Sequence, residues 1–97
     1  MRTEQEAAIQ RVQEMEQLFD DLLAAWANAP AAFRTDDAIR QKWSRLTAYY
    51  DSPQWQTDYH LDEQGVFPQG MKRGILSEDG FYNFLCDVEA FLRAEKE

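Results

Sequence analysis

Val12, Met15, Phe19, Leu22 and Trp26 recur at alternating spacings of four and three along the first third of the chain, with Ala8 one step earlier. That period lines the six side chains along one face of an α-helix. Thr3 and Glu6 stand at capping-box spacing ahead of the stripe, and Pro30, just past Asn28, cannot continue a helical ladder. The spacing therefore predicts a long helix over 3–29. It lasts under four heptads, too short for a sustained coiled-coil seam, so the stripe is expected to be the core face of one domain covering 1–97. Three Trp, six Phe and four Tyr among 97 residues supply that core and exclude a disordered chain.

The rest of the chain continues in helical period. Thr35 or Asp36 can cap a second helix over 36–50, in which Ile39, Trp43, Leu46 and Tyr50 share a face and Lys42, Arg45 and Tyr49 line its flank. In "DSPQW", Ser52 stands at a cap and Pro53 at the first helical position, where a missing N–H costs nothing. They open a short third helix over 53–63, with Gly65 beyond its end. Residues 64–76 read as a loop punctuated by Gly65, Pro68, Gly70 and Gly74, with Val66–Phe67 and Ile75–Leu76 able to pair as a minimal ribbon. Ser77 is placed to cap a fourth helix over 78–95, with Glu78 and Asp79 in the positive field of its first turn. Phe81, Phe84, Leu85, Val88, Phe91 and Leu92 form its core stripe, and Tyr82 and Cys86 lie off it. Gly80 costs about 1 kcal/mol inside a helix, which points to a close backbone approach. The expected fold is all-α: a small four-helix domain with a long first helix packed lengthwise on the second and fourth. The short third helix and one ordered loop at 64–76 close an end.

Charge and motifs exclude several function classes. The formal net charge is −8, so direct binding of nucleic acid or of an anionic membrane is not expected. Cys86 is the only cysteine, which precludes an internal disulfide and suits a reducing compartment. The opening residues carry no apolar stretch of leader length, and no run approaches the ~18 residues of a membrane span, so a cytoplasmic location is expected. Gly65 and Gly70 have phosphate-loop separation, but Met71 stands where lysine is required. Asp58 and Asp62 lie four apart, whereas a calcium loop alternates its acids by two. One His and one Cys do not make a zinc set, and no cofactor is expected.

The third helix carries the sharpest candidate. Trp55, Asp58, Tyr59 and Asp62 share one broad face, so aromatics that pack inward would draw the two carboxylates towards the core edge. A desolvated carboxylate must pair, bind a cation or take up a proton. The leading expectation is ion pairing of Asp58 and Asp62 with Lys72 and Arg73 from the loop, a network that Glu78 and Asp79 flank on the other side. The alternative is a small acidic pocket for a divalent cation or an acid/base step, drawing also on Glu63 and His60. Lys42, Arg45 and Tyr49 are a possible partner surface for an acidic peptide. They lie in the one basic segment, 31–50, with four Lys/Arg against two Asp/Glu, while 1–30 carries two against six. Acids of the first helix, Glu14 and Glu16 among them, are the competing intramolecular partners, with Glu16 at the edge of the apolar stripe. Tyr82, Tyr49 and Phe33, off the stripes, are expected to fill corners between helices.

The segment "YYDSPQWQTDYHLDEQGVFPQGMKRGILSEDGFYNFL", residues 49–85, is similar to a bacterial family, the domain-of-unknown-function family 4298. The likeness rests on Tyr49–Tyr50, Ser52, Trp55, Asp58, Asp62–Glu63, Gly65, Pro68, Lys72–Arg73–Gly74, Leu76–Ser77–Glu78–Asp79 and Tyr82, with Met15–Glu16 on the first helix. It implies a small, mostly helical bacterial protein and no catalytic residues. The first function expected is a cytoplasmic protein-interaction or accessory module without catalytic activity, binding a protein partner or its own copy through the first helix. A metal-binding or hydrolytic protein using the third-helix carboxylates is the alternative. An acidic nucleic-acid mimic ranks last, because the acids are spread over several helices.

Overall fold

The computed structural model describes residues 3–77 and 79–94, and the chain is all-α. Its elements are α1 (Glu4–Asn28), α2 (Ala32–Thr35), α3 (Asp37–Tyr50), α4 (Pro53–Glu63), a 3₁₀ turn (Gly74–Leu76) and α5 (Gly80–Ala94). The molecule measures 47 × 23 × 23 Å, a length that α1 largely sets. At ~1.5 Å per residue, its 25 residues span about 37 Å.

Local chemistry explains where these elements start and stop. The Thr3 hydroxyl accepts the Glu6 N–H at 3.1 Å and opens α1. One oxygen of Asp36 accepts the Ala38 and Ile39 N–H groups and opens α3. At the end of α4 the Gly65 N–H reaches the Asp62 carbonyl and the Val66 N–H reaches the Leu61 carbonyl. This pairing needs a left-handed residue, and Gly65 supplies it at φ +76°. α2 departs from the expected four helices: with four residues it has no periodicity to read, yet it buries Phe33.

Ala8, Val12, Met15, Phe19 and Leu22 of α1 are buried, as is Leu46 of α3, and Phe81, Phe84 and Val88 of α5. α1 lies along α3, and large rings bridge it to α5. Phe19 meets Phe81 and Phe84, and Trp26 meets Phe33, Phe84 and Phe91, at centroid distances of 5.2–6.2 Å. Most of these contacts are edge-on, the geometry that ring quadrupoles favour. Each fully buried large side chain contributes about 1.5–3 kcal/mol. Arg34 of α2 lies 3.8 Å over the Phe91 ring and donates to the Phe91 carbonyl, tying α2 to the end of α5.

No ribbon joins Val66–Phe67 to Ile75–Leu76, and no strand forms among the described residues. The backbone groups a ribbon would use are taken by side chains: the Ile75 N–H goes to Glu16 at 2.9 Å and the Ile75 carbonyl to Trp55 Nε1 at 2.9 Å. Gly80 does mark a close approach. A Cβ there would sit 2.3 Å from Ser77 Oγ and 3.0 Å from the Gly74 carbonyl.

Candidate functional site

Asp58 lies on the inner face of α4 and is wholly buried. Its carboxylate accepts Arg11 Nε at 2.8 Å, Arg11 Nη2 at 2.5 Å and the Tyr49 hydroxyl at 2.6 Å. Gln54, its amide oxygen turned to Arg11, accepts from Nη1 at 3.1 Å and Nη2 at 2.9 Å. Burial, followed by the bond to Asp58, pushes the Tyr49 phenol well above its ordinary value. The bond to Asp58 likewise raises Arg11. Three elements therefore meet at one buried, charge-matched point. A cavity of about 310 Å³, lined in part by Arg11, Gln54, Thr57 and Leu61, opens beside it.

This corrects the expected pairing of Asp58 with Lys72 or Arg73. Asp58 faces α1 and α3, so the loop cations cannot reach it. Arg73 pairs with Asp62 at 2.8 Å, and Lys72 pairs with Asp20 of α1 at 2.7 Å. The hydrogen bond to Asp20 and its charge raise the Lys72 pKa, and Glu16 adds to the effect. Glu78 lies outside the described residues. Asp79 is exposed, and its carbonyl accepts the Asn83 N–H at the start of α5. Tyr49 is not part of a partner surface: it is buried, because its ring fills the core while its hydroxyl meets Asp58. Lys42 and Arg45 cross to α1, to Asp21 at 3.1 Å and Glu14 at 3.2 Å. Hydrogen bonding from Gln17, then from Lys42, holds the Asp21 carboxyl below its usual value.

The two serines differ. Ser77 Oγ accepts the Gly80 N–H at 2.9 Å and donates to the Gly74 carbonyl at 2.9 Å. Ser52 occupies the cap position of α4, but its hydroxyl turns back to the Tyr49 carbonyl at 2.6 Å and caps nothing. Pro53 has no N–H to satisfy, and the carbonyl at the end of α3 competes for the hydroxyl.

The third-helix acids do not converge. Asp58 points to α1, Asp62 to the loop, and His60 pairs with Glu63 at 3.2 Å on the exposed side. Among the described residues no group of three or more His, Cys, Asp or Glu side chains is placed to hold a metal ion.

A second feature lies on the other side of α1. Glu16 is 6% exposed, and its Oε1 accepts the buried Ile75 N–H. Its side chain forms part of a groove of about 470 Å³ between α1 and the loop 68–72, together with Gln17, Asp20, Pro68, Met71 and Lys72. Sequence reasoning left out Arg11 and Asp20 and gave Glu16 the wrong partner. The signal for Arg11 was its register, three after Ala8 and four before Met15. Glu16, four after Val12 and three before Phe19, sits on the same stripe. A charge within an apolar stripe must find a partner on an element that packs there.

These features define a small all-helical domain in which a short helix is pinned to one long helix by a buried ion pair, and a loop by a buried hydrogen bond and an exposed ion pair. The chain belongs to the family described as Domain of unknown function (DUF4298), whose model matches residues 12–94. No curated protein and no solved structure matches it. No helix among the described residues is long and apolar enough to cross a membrane.

Proposed function

We propose that this chain is a small cytoplasmic protein-interaction module of bacteria, and that it docks a segment of another protein in the groove between α1 and the loop 68–72. The groove itself carries this reading. One wall is α1, with Gln17 and Asp20; the other is a loop built from Pro68, Met71 and Lys72. A rigid helix facing a loop with an adaptable methionine suits an extended polypeptide. By contrast, Asp58 and Asp62 of α4 are occupied by Arg11, Tyr49 and Arg73, which leaves them to architecture. The opposite basic flank is similarly engaged, through Lys42 and Arg45.

Photo-crosslinking in living cells tests the reading. A photoreactive residue at Gln17, in the groove, is expected to give a discrete adduct with a second protein. The same residue at Ser44, exposed on α3, is expected to give none. Equal adducts from both positions, none from either, or an adduct only with the chain's own copy would overturn it.

A further inference from the structure

We propose that the groove holds a subsite for a basic side chain of the docked segment, with Glu16 and Asp20 as its acceptors and Lys72 as the internal cation that the incoming group displaces. The inference rests on the interaction reading above and goes beyond it by naming the chemistry recognised.

The first observation is Glu16. It is 94% buried, since 6% is exposed, yet only Oε1 is engaged, by the Ile75 N–H. Oε2 accepts no hydrogen bond among the described residues, although the side chain borders the groove. Oε2 reaches solvent at the groove wall, and a carboxylate oxygen has room for more than one donor, so it is open to a donor that enters there. The second observation is that a cation already sits at the rim: the Lys72 ammonium lies 2.7 Å from Asp20 Oδ2 and feels the charge of Glu16. Lys72 is 68% exposed, so this contact opens easily. Glu16 and Asp20 are four apart on α1 and so project side by side. The third observation is the lining. Pro68 and Met71 present apolar surface next to the two carboxylates. That combination matches a lysine or arginine, whose aliphatic stem packs on apolar groups while its head pairs with carboxylate. The chain's net charge of −8 favours approach of a basic segment.

The test is an NMR titration of the ¹⁵N-labelled full chain with the peptide acetyl-Gly-Arg-Gly-amide, and with the same peptide carrying neutral citrulline. Saturable shifts are expected at Gln17, Asp20, Gly70 and Lys72 with the arginine peptide only. Lys72→Ala should tighten binding by roughly two- to fivefold, the factor a surface ion pair is worth. Glu16→Gln keeps an oxygen for the Ile75 N–H but removes the charge, and should weaken binding by about tenfold or more. Asp20→Asn is the second variant should the first fold poorly. Equal shifts with citrulline, or no change in affinity in Lys72→Ala and Asp20→Asn, would overturn the subsite. A Gln17 adduct that persists unchanged in Glu16→Gln removes the subsite and leaves the interaction reading standing. Loss of every adduct while the arginine peptide still binds removes the interaction reading alone.

Discussion

Replacing Asp58 with alanine should be among the most damaging single changes in this chain. The carboxylate is wholly buried and accepts from two Arg11 nitrogens and the Tyr49 hydroxyl. Breaking a buried ion pair by removing one partner costs about 3–5 kcal/mol, because the other charge is stranded. The Arg11 side chain is 26% exposed and keeps Gln54 beside it, so the lower end of that range applies. The Tyr49 hydroxyl, left without an acceptor in the core, adds about 1 kcal/mol. The expected loss is therefore about 3–4 kcal/mol, a large share of the ~5–15 kcal/mol that holds a domain together. At ~4–8 °C per kcal/mol for a domain of this length, Tm should fall by about 12 °C or more.

Thermal and urea unfolding, followed by circular dichroism, measure this directly. Tyr49→Phe supplies the control: it removes one donor but leaves Asp58 with Arg11, and should cost about 1 kcal/mol. The double variant should cost less than the sum, since both changes remove the same bond. A loss below about 1 kcal/mol for Asp58→Ala, or strict additivity with Tyr49→Phe, would refute the reasoning. An unchanged Tm together with loss of a calorimetric Mg²⁺ signal would make Asp58 a ligand instead of a structural acid.

Three further outcomes follow from named contacts. Gly80→Ala should destabilise despite alanine's better helix propensity, because its Cβ would meet Ser77 Oγ at 2.3 Å; urea unfolding should show a smaller cost in a Ser77→Ala background, where the crowding atom is gone. Glu16→Ala strands the buried Ile75 N–H and should cost about 1–3 kcal/mol, while Glu16→Gln, which keeps an acceptor, should cost less in the same assay. Stability should also fall as pH rises past about 10. Tyr49 keeps its proton in the folded state, whereas the unfolded tyrosine releases it near 10, so the unfolded state binds fewer protons there and the slope is negative. Unfolding free energies measured in urea from pH 9 to 11.5 should show this limb, and Tyr49→Phe should make it shallower, with Tyr50, Tyr82 and Lys72, whose pKa values are also raised, carrying the rest.

The helices were legible because they repeat. The stripes of α1, α3 and α5 span several turns each, and their period survives any choice of partner. What failed to show in the sequence lacks repetition. α2 is a single turn, and Phe33 reads as an isolated aromatic until Trp26, Trp43 and Phe84 surround it. Likewise the turn Gly74–Leu76 stands where a ribbon was expected, with the Ile75 N–H taken by Glu16, fifty-nine residues away, and its carbonyl by Trp55. Residues that would be ionised were recognisable, but their partners depended on packing. Asp62 met Arg73 of the loop that follows it, a local pairing. Asp58 met Arg11 across forty-seven residues, and nothing in its own segment encodes that distance. Ser52 and Ser77 show the same limit at short range: both stand at caps, and the adjacent carbonyl geometry decides which one acts as a cap.

The ion pairs also bear on what the surface can attract. Arg11, Lys42, Arg45, Lys72 and Arg73 are each tied to an acid on another part of the fold. They are half of the ten Lys and Arg residues in the chain, against eighteen Asp and Glu. Internal pairing thus consumes much of the positive charge while leaving acids in excess outside. Salt should then affect folding and binding differently. For folding, screening weakens the exposed pairs but also relieves repulsion among the surplus acids, and the two effects oppose each other. For a basic partner, screening only weakens the attraction. Raising salt from low to about 0.5 M, where the Debye length shrinks to roughly 4 Å, should leave Tm nearly unchanged while sharply reducing the Gln17 cross-link in lysate. A cross-link that resists salt would mean that apolar contact with Pro68 and Met71, not charge, holds the partner.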